Sequence, residues 1–488
     1  MRPLELLVLV HAVAWSLSLL TRAGRNRRWL AILVISSGAT ILAQASLEGY
    51  RSHLLPMYAM VLIGVTWGAW ASSERADQPP RGIRRVAGAL GLLAALAVSA
   101  TLPAWFPVFE YPEPTGPFAI GTVTLVARDS SRHELLAADP SRFREIAFQV
   151  WYPARPVAGA PTVPAFEAPG PLQDVLAIAT GLPAPLFDHL RFIRSRAVRG
   201  AAVDRSEPRR PVLLYSPGFT ATRTTGLSQV QELVSHGYIV VGIDHTYYSA
   251  VSLFPDGHTV AYAPALGWPT RVDDRSRHYY DEWAADARCV LDALHTVNAG
   301  GDPAAVGLRG AMDLDRVGYL GTSSGGCAVT RTLFLDPRFK AGVAQDGSPY
   351  EHDEVVQSGL RQPFLYMQSE EPYGEVSDKQ LAAWGVTPAE WQDLRRERPR
   401  RVDRLFASLS GPGYVLRIGG TKHLSFGDAL LIIAVPGLVN EPPARAQAIV
   451  NAYTMAFFDR YLRGKSEALL AEEHPRRFPE VTLRRRHG

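Results

Sequence analysis

Polar positions are so unevenly spread over the first hundred residues that four apolar stretches stand clear of them, at residues 4–20, 29–45, 54–70 and 86–106. Each approaches the ~20 residues an α-helix needs to cross a bilayer. No small-x-small cleavage site closes the first stretch before the basic run behind it, so a multipass membrane anchor is expected rather than a removable leader. Full positive charges crowd the first connection (Arg22, Arg25, Arg27, Arg28) and the third (Arg75, Arg81, Arg84, Arg85), whereas the second holds only Arg51. The preference of such charges for the cytoplasmic side predicts an outside amino terminus. After four crossings it also predicts a carboxyl-terminal domain on the periplasmic or extracellular side.

Beyond about residue 107 the pattern changes to short β-branched and aromatic runs, broken by turn residues and mixed with stretches of helical period. Strands are predicted at 120–126, 146–152, 211–215, 239–243, 316–320, 338–345 and 414–418, and helices at 223–236 and 276–298. The length accommodates a transmembrane anchor of about four helices over 1–106 and one large α/β catalytic domain over 107–488. Within the latter, 154–209 is rich in Pro and Ala and reads as a lid-like entrance segment with a helical candidate over 185–198. A plain packing helix fits those apolar positions equally well.

Residues 316–320 lead straight into Gly321-Thr322-Ser323-Ser324-Gly325, the strand-to-helix setting of a G-x-S-x-G nucleophile elbow. Ser323 is the candidate nucleophile; Ser324 fails the pattern because Thr322 stands two before it. A serine hydroxyl needs a base to take its proton, and an imidazole does so near neutral pH. Asp346 follows the strand after the elbow, and His423 follows the run at 414–418. Serine, aspartate and histidine, each just past a strand, run in the chain order of an α/β-hydrolase, with a mostly parallel sheet flanked by helices. Asp346 is expected to fix the His423 tautomer, with Glu351 and Asp353 close behind it as rivals; Asp428 is read as orienting the histidine loop or capping the next helix. The strand 211–215 opens into Ser216-Pro217-Gly218-Phe219, so the backbone amides of Phe219 and Ser324 are the candidate oxyanion hole. His245 reads as support for the site, and Trp283, Trp384 and Trp391 as packing residues.

Taken in order, these residues resemble the platelet-activating-factor acetylhydrolases of the plasma and type II class, also called group VII phospholipases A2. The resemblance covers most of the chain after about residue 110. It is carried by Pro114-Thr115-Gly116-Pro117-Phe118 with Gly121-Thr122, Val150-Trp151-Tyr152-Pro153, Ser216-Pro217-Gly218-Phe219, Ser235-His236-Gly237-Tyr238-Ile239-Val240 and Asp244-His245. It continues through the elbow, Arg338-Phe339 to Asp346, and His423-Leu424-Ser425-Phe426-Gly427-Asp428. The resemblance implies the triad Ser323, Asp346, His423, an oxyanion hole of the Phe219 and Ser324 amides, and no metal. The implied reaction is calcium-independent hydrolysis of short or oxidised sn-2 acyl esters of phospholipids through an acyl-enzyme. Thr322 and Ser324 stand where the family usually has His and Phe, and Pro217 where a His is common, so the shape of the acyl pocket does not carry over.

No H-E-x-x-H helix, EF-hand loop, cysteine cluster, Walker A loop or G-x-G-x-x-G unit appears, so neither a metal nor a nucleotide cofactor is expected. The net charge of +4 is small, and its arginines flank the apolar stretches or crowd the tail 484–486, which suits anionic lipid or solvent better than nucleic acid. Two cysteines, Cys289 and Cys327, cannot make a disulfide framework and read as small buried hydrophobes, with a pairing between them left open. The same triad would serve a general carboxylesterase, a polyester or lactone hydrolase, or acyl transfer to another alcohol. A membrane transporter or sensor with a non-catalytic hydrolase-like domain is the reading of another class. The scarcity of ionisable groups in the apolar stretches, Glu5 and His11 aside, weighs against it.

Overall fold

The structure is a computed structural model, and it describes residues 1–21, 26–71, 83–267, 274–347, 352–371, 376–383, 386–434, 443–473 and 475–486. It divides into two units.

One unit holds Met1–Phe109, Leu176–Ile193 and a stretch that begins at Leu431. Its helices α1 (Pro3–Leu20), α2 (Arg27–Ala43), α3 (Leu55–Ala71) and α4 (Ile83–Trp105) coincide with the apolar stretches to within a few residues. Four segments, Pro3–Leu20, Arg27–Gly49, Ser52–Ala69 and Val86–Trp105, are long and apolar enough to cross a membrane. Trp15 packs with Ala12, Leu30, Leu33, Met60 and Val61, and a Cβ on Gly64 would meet its indole at 2.5 Å, so α1 and α3 approach closely. Leu6, Leu17, Ile35, Leu42, Leu62 and Leu90 point outward, as bundle residues do when the surroundings are themselves apolar.

Two buried charges of this unit form a pair. Glu5 and Arg51 are fully buried 2.7 Å apart, and Arg51 also donates to the Phe106 carbonyl at 2.9 Å. The lone positive charge of the second connection is therefore neutralised and sealed. Arg22, Arg25, Arg75 and Arg81 lie outside the described residues. Asp188 accepts from the Ser52 amide at 2.7 Å and sits 3.2 Å from His53 Nδ1; His53 Nε2 lies 2.8 Å from the Leu186 carbonyl. His189 Nε2 lies 3.1 Å from the Ile432 carbonyl, and the Ala434 amide donates to the Trp105 carbonyl at 2.8 Å.

The helical candidate at 185–198 is corrected. A 3-10 helix spans Ala184–Phe192, preceded by an unanticipated helix α5 (Pro169–Thr180), and Ala197–Arg199 is a strand. The Val163 carbonyl accepts from the Ser195 amide and the Val163 amide donates to the Ala197 carbonyl, so backbone pairing takes the place of a helical turn.

The other unit is built on a ten-stranded sheet with the spatial order β12-β11-β10-β9-β8-β4-β5-β2-β1-β3. Its strands are β1 (Ala119–His133), β2 (Phe143–Ala154), β3 (Ala197–Arg199), β4 (Arg210–Ser216) and β5 (Ile239–Asp244). After the separate hairpin of β6 (Val251–Leu253) and β7 (Thr259–Ala261) come β8 (Met312–Thr322), β9 (Phe339–Gln345), β10 (Phe364–Glu371), β11 (Gly413–Lys422) and β12 (Val481–Arg486). From β5 through β4, β8, β9 and β10 to β11 the neighbours are parallel. Parallel pairing demands crossovers, supplied by α6 (Leu227–Ser235), α7 (Asp274–Ala299), α8 (Ser324–Leu335), α9 (Asp353–Ser358), α10 (Asp378–Ala383) and α11 (Pro388–Ser408). Every residue of β4 and β5 is buried, as central parallel strands covered on both faces require. Helix α6 starts four residues later than the period suggests, because the Arg223 amide donates to Asp244 Oδ1 at 2.7 Å.

Candidate active site

The carboxyl ends of the parallel strands gather the chemistry. At the end of β8 the backbone bends sharply into α8, with Ser323 at φ 57° and ψ −123°. The bend is tight enough to exclude side chains on either flank. A Cβ on Gly321 would meet the Gly325 carbonyl carbon at 2.4 Å, and one on Gly325 would meet the Ser216 carbonyl oxygen at 2.1 Å. Only glycine fits both places.

Across this bend the structure brings together the three residues singled out by chain order. Ser323 Oγ lies 2.9 Å from His423 Nε2, and His423 Nδ1 lies 2.7 Å from Asp346 Oδ2. The carboxylate only accepts, so Nδ1 carries the proton and Nε2 is left as the acceptor for the serine hydroxyl. Asp346 is buried, while the His423 side chain keeps 23% exposure and Ser323 is half-buried, so the reactive end of the line is reachable. Burial alone would push the Asp346 carboxyl up. The Arg398 guanidinium, followed by the His423 hydrogen bond, outweighs it and holds the group well below the usual carboxylate range. Arg398 Nη2 donates to Asp346 Oδ1 and to its carbonyl, both at 2.8 Å, and Ser369 adds its amide and hydroxyl at 3.0 Å.

The oxyanion candidates flank the serine. A Cβ on Gly218 would lie 3.3 Å from Ser323 Cβ, so the 216–219 turn passes directly beside it, and Ser324 is the first residue of α8. Phe219 stacks on Tyr279 with centroids 6.1 Å apart and meets Tyr248 and Tyr262 edge-on, an aromatic wall next to the turn. Among the described residues, the non-glycine positive-φ positions are Thr220, Tyr247, Ser323 and Asp346. Backbone strain is thus concentrated around this one location, and residues so strained cluster at functional sites in proteins generally.

Thr322 donates to Gln345 Oε1 at 2.9 Å, and Gln345 in turn donates to Gln229 Oε1 at 3.0 Å. Asp353 pairs with Arg401 away from His423, and Glu351 and Trp384 lie outside the described residues. Asp428 caps α6 rather than a following helix: it accepts from the Ser228 amide at 3.1 Å, and burial pushes its carboxyl up to about 6. Cys289 and Cys327 are not joined by a disulfide, and burial pushes Cys289 up to about 12. Trp391 packs with Leu381 and Val386. His245 is fully buried between Ser216 and Asp286, stacked on Trp283 with centroids 4.0 Å apart.

Two supporters of the acid, Ser369 and Arg398, went unread in the sequence. Arg398 carried a signal: with Trp391, Val402 and Leu405 it forms the buried stripe of α11, and an arginine on such a stripe needs an anionic partner.

A family model described as platelet-activating factor acetylhydrolase, isoform II, matches residues 290–464. A protein of Arthroderma benhamiae called probable 1-alkyl-2-acetylglycerophosphocholine esterase is 26% identical over 416 residues, covering 80% of this chain and 97% of that protein. Platelet-activating factor acetylhydrolase of Gallus gallus is 23% identical over 54% of this chain and 66% of that protein, and that of Cavia porcellus is 28% identical over 33% and 40%. Among solved structures, a ferulic acid esterase from Streptomyces cinnamoneus superposes with a TM-score of 0.59 at 27% identity, covering 77% of this chain and 99% of that one. The resemblance read from the motifs is borne out, and every one of these relatives is an esterase or an acetylhydrolase.

Proposed function

We propose, from the premise that this chain is a carboxylic ester hydrolase of the α/β-hydrolase fold resembling the platelet-activating-factor acetylhydrolases, that it cleaves short or modified acyl esters of phospholipids at Ser323. The Ser323 hydroxyl attacks the acyl carbon while its proton passes to His423 Nε2, and the amides of Phe219 and Ser324 hold the resulting oxyanion. The imidazolium returns that proton to the leaving lysolipid oxygen as the ester bond breaks. A water molecule, deprotonated by the same nitrogen, then attacks the acyl-serine, and the imidazolium returns that proton to Ser323 Oγ as the acyl–oxygen bond breaks and the carboxylic acid leaves. Asp346 stays ionised throughout and stabilises the imidazolium.

The observation that carries this reading is the hydrogen-bond line of 2.9 and 2.7 Å from Ser323 through His423 to Asp346. The lipid substrate is supported by similarity to the Arthroderma esterase over 80% of the chain, and by Leu424, 56% exposed beside the proposed base, as an apolar rim. Four membrane-crossing helices, an outside amino terminus and a catalytic unit on the periplasmic or extracellular side complete the proposal. The sealing of Arg51 sharpens the charge contrast between the connections. Reporter fusions after Arg85 and at the carboxyl terminus test that topology, and a cytoplasmic carboxyl terminus overturns it. A second reading, an aromatic carboxylic ester as substrate, is favoured by the Streptomyces neighbour and by the ring wall at Phe219.

Acetate release from an sn-2 acetyl phospholipid, run beside a feruloyl ester and a short-chain aryl ester, separates the two. Phospholipid turnover that is lost in Ser323→Ala is the expected result. Turnover of the feruloyl ester alone moves the substrate to the second reading, and activity that survives Ser323→Ala sinks the mechanism.

A further inference from the structure

A second serine–histidine–aspartate line lies behind the first, and nothing in the proposed reaction uses it. Ser216 Oγ is 2.7 Å from His245 Nε2, and His245 Nδ1 is 3.0 Å from Asp286 Oδ2, with all three residues sealed from solvent. No substrate reaches a fully buried hydroxyl, so these residues do no chemistry on an ester. Their cost is nonetheless large. Asp286 is held by two guanidinium groups: Arg144 grips it bidentately at 2.6 and 2.7 Å, and Arg132 adds a bond at 2.8 Å. Burial would raise the Asp286 carboxyl, but Arg144 holds it well below the usual range, so it remains an acceptor for His245 Nδ1–H and leaves Nε2 to accept from Ser216.

What this line holds is the turn beside the proposed nucleophile. Ser216 ends β4, pairs with Gly321 of β8 and opens the 216–219 turn. Its carbonyl lies so near the elbow that a Cβ on Gly325 would meet it at 2.1 Å. A second link runs through the backbone from the same histidine. The Tyr248 amide donates to the His245 carbonyl at 2.9 Å, and the Thr220 amide, next to Phe219, donates to the Tyr248 carbonyl at 3.0 Å. Thr220 and Tyr247 are both at positive φ, so this loop sits in a strained form that surrounding bonds must over-determine.

We propose that Ser216, His245 and Asp286 are positioning residues that hold the Phe219 amide at oxyanion distance from Ser323. The proposal rests on the Ser323 reading above. Losing an oxyanion donor outright costs about 10²–10³ in kcat, so letting one drift costs about 10-fold or more while leaving ground-state binding alone.

The test measures kcat and KM on a soluble aryl ester for the full chain and Ser216→Ala, normalised to active sites by fluorophosphonate titration, together with the inhibition constant of a trifluoromethyl ketone transition-state analogue. The expected result is kcat per titrated site down about 10-fold with KM within two-fold, and the analogue weakened in proportion. A kcat within two-fold of wild type, or a lower kcat with analogue affinity unchanged, overturns the proposal. Ser216→Cys, which keeps the shape and a weak donor, covers the case of an alanine variant that does not fold. An intermediate kcat is expected there, and wild-type kcat overturns the proposal. Ser323→Ala runs alongside: activity retained in it removes the underlying mechanism, an outcome separate from any result at Ser216.

Discussion

Two serine–histidine–aspartate lines occupy the same unit with nearly the same distances, 2.9 and 2.7 Å at Ser323–His423–Asp346 and 2.7 and 3.0 Å at Ser216–His245–Asp286. They differ at every member. Ser323 sits at φ 57° on a bend with its histidine partly exposed, whereas Ser216 continues an extended strand and its histidine is stacked under Trp283. The acids differ as well: Asp346 faces one guanidinium and a serine, Asp286 two guanidiniums. Identical residue types at hydrogen-bond distance therefore say little about chemistry. On the proposed reading, backbone geometry and access decide which line can react and which can only hold.

The comparison breaks most readily at the serines and histidines. Ser323→Ala or His423→Ala is expected to lower kcat by about 10⁴-fold or more, as removal of a nucleophile or base does. A comparable loss from His245→Gln, measured per titrated site, would make the two lines equivalent and refute the distinction. The acids separate rate from stability. Asp346→Asn is expected to lower kcat by roughly 10³–10⁴ through the wrong imidazole tautomer. Asp286→Asn takes a buried carboxylate from the buried Arg144 and the half-buried Arg132, leaving them Glu134 and Asp129, and is expected to cost about 3 kcal/mol of folding stability, read by denaturant unfolding.

A smaller effect is expected at Arg398. Arg398→Met removes a cation that competes with the imidazolium for Asp346, so kcat/KM is expected to lose its acid limb at higher pH, with a several-fold fall in kcat; an unmoved limb would show that Ser369 alone sets the acid. The smallest effect concerns Asp428. Its folded carboxyl keeps its proton up to about 6, whereas the unfolded one loses it near 3.9. The folded state therefore binds more protons between those values, and this group's contribution to stability declines as pH rises through that window. Asp428→Asn is expected to flatten the change in Tm between pH 4 and 7, and an unchanged slope would contradict the burial of a raised acid there.

Ser323, Asp346 and His423 were legible because each follows a β-rich run and meets turn residues, a local signal that needs no tertiary knowledge. The four apolar helices were legible for the same reason, since length and composition are local. His245 was legible as support just past a strand, but its line to Ser216 and Asp286 was not, because the three come from β4, the end of β5 and α7, and only the folded sheet brings them together. Arg398 fell between these cases, hidden among the arginines of α11 yet standing on its apolar stripe. The segment 185–198 was misread because its period suits a helix while its partners, Val163, Ser52 and His53, lie far off in sequence.

The helical unit contains not only residues before 110 but also Leu176–Ile193 and a stretch from Leu431, tied in through Asp188, His189 and Ala434. On the ribosome its four long helices emerge first, yet the Ile432 carbonyl that meets His189 appears some 240 residues after the histidine itself. Domains are usually completed in the order in which they are synthesised. Here the helical unit, begun before the sheet, still waits for residues near 432, so a nascent chain stopped short of residue 434 carries a bundle that still lacks its closing pieces.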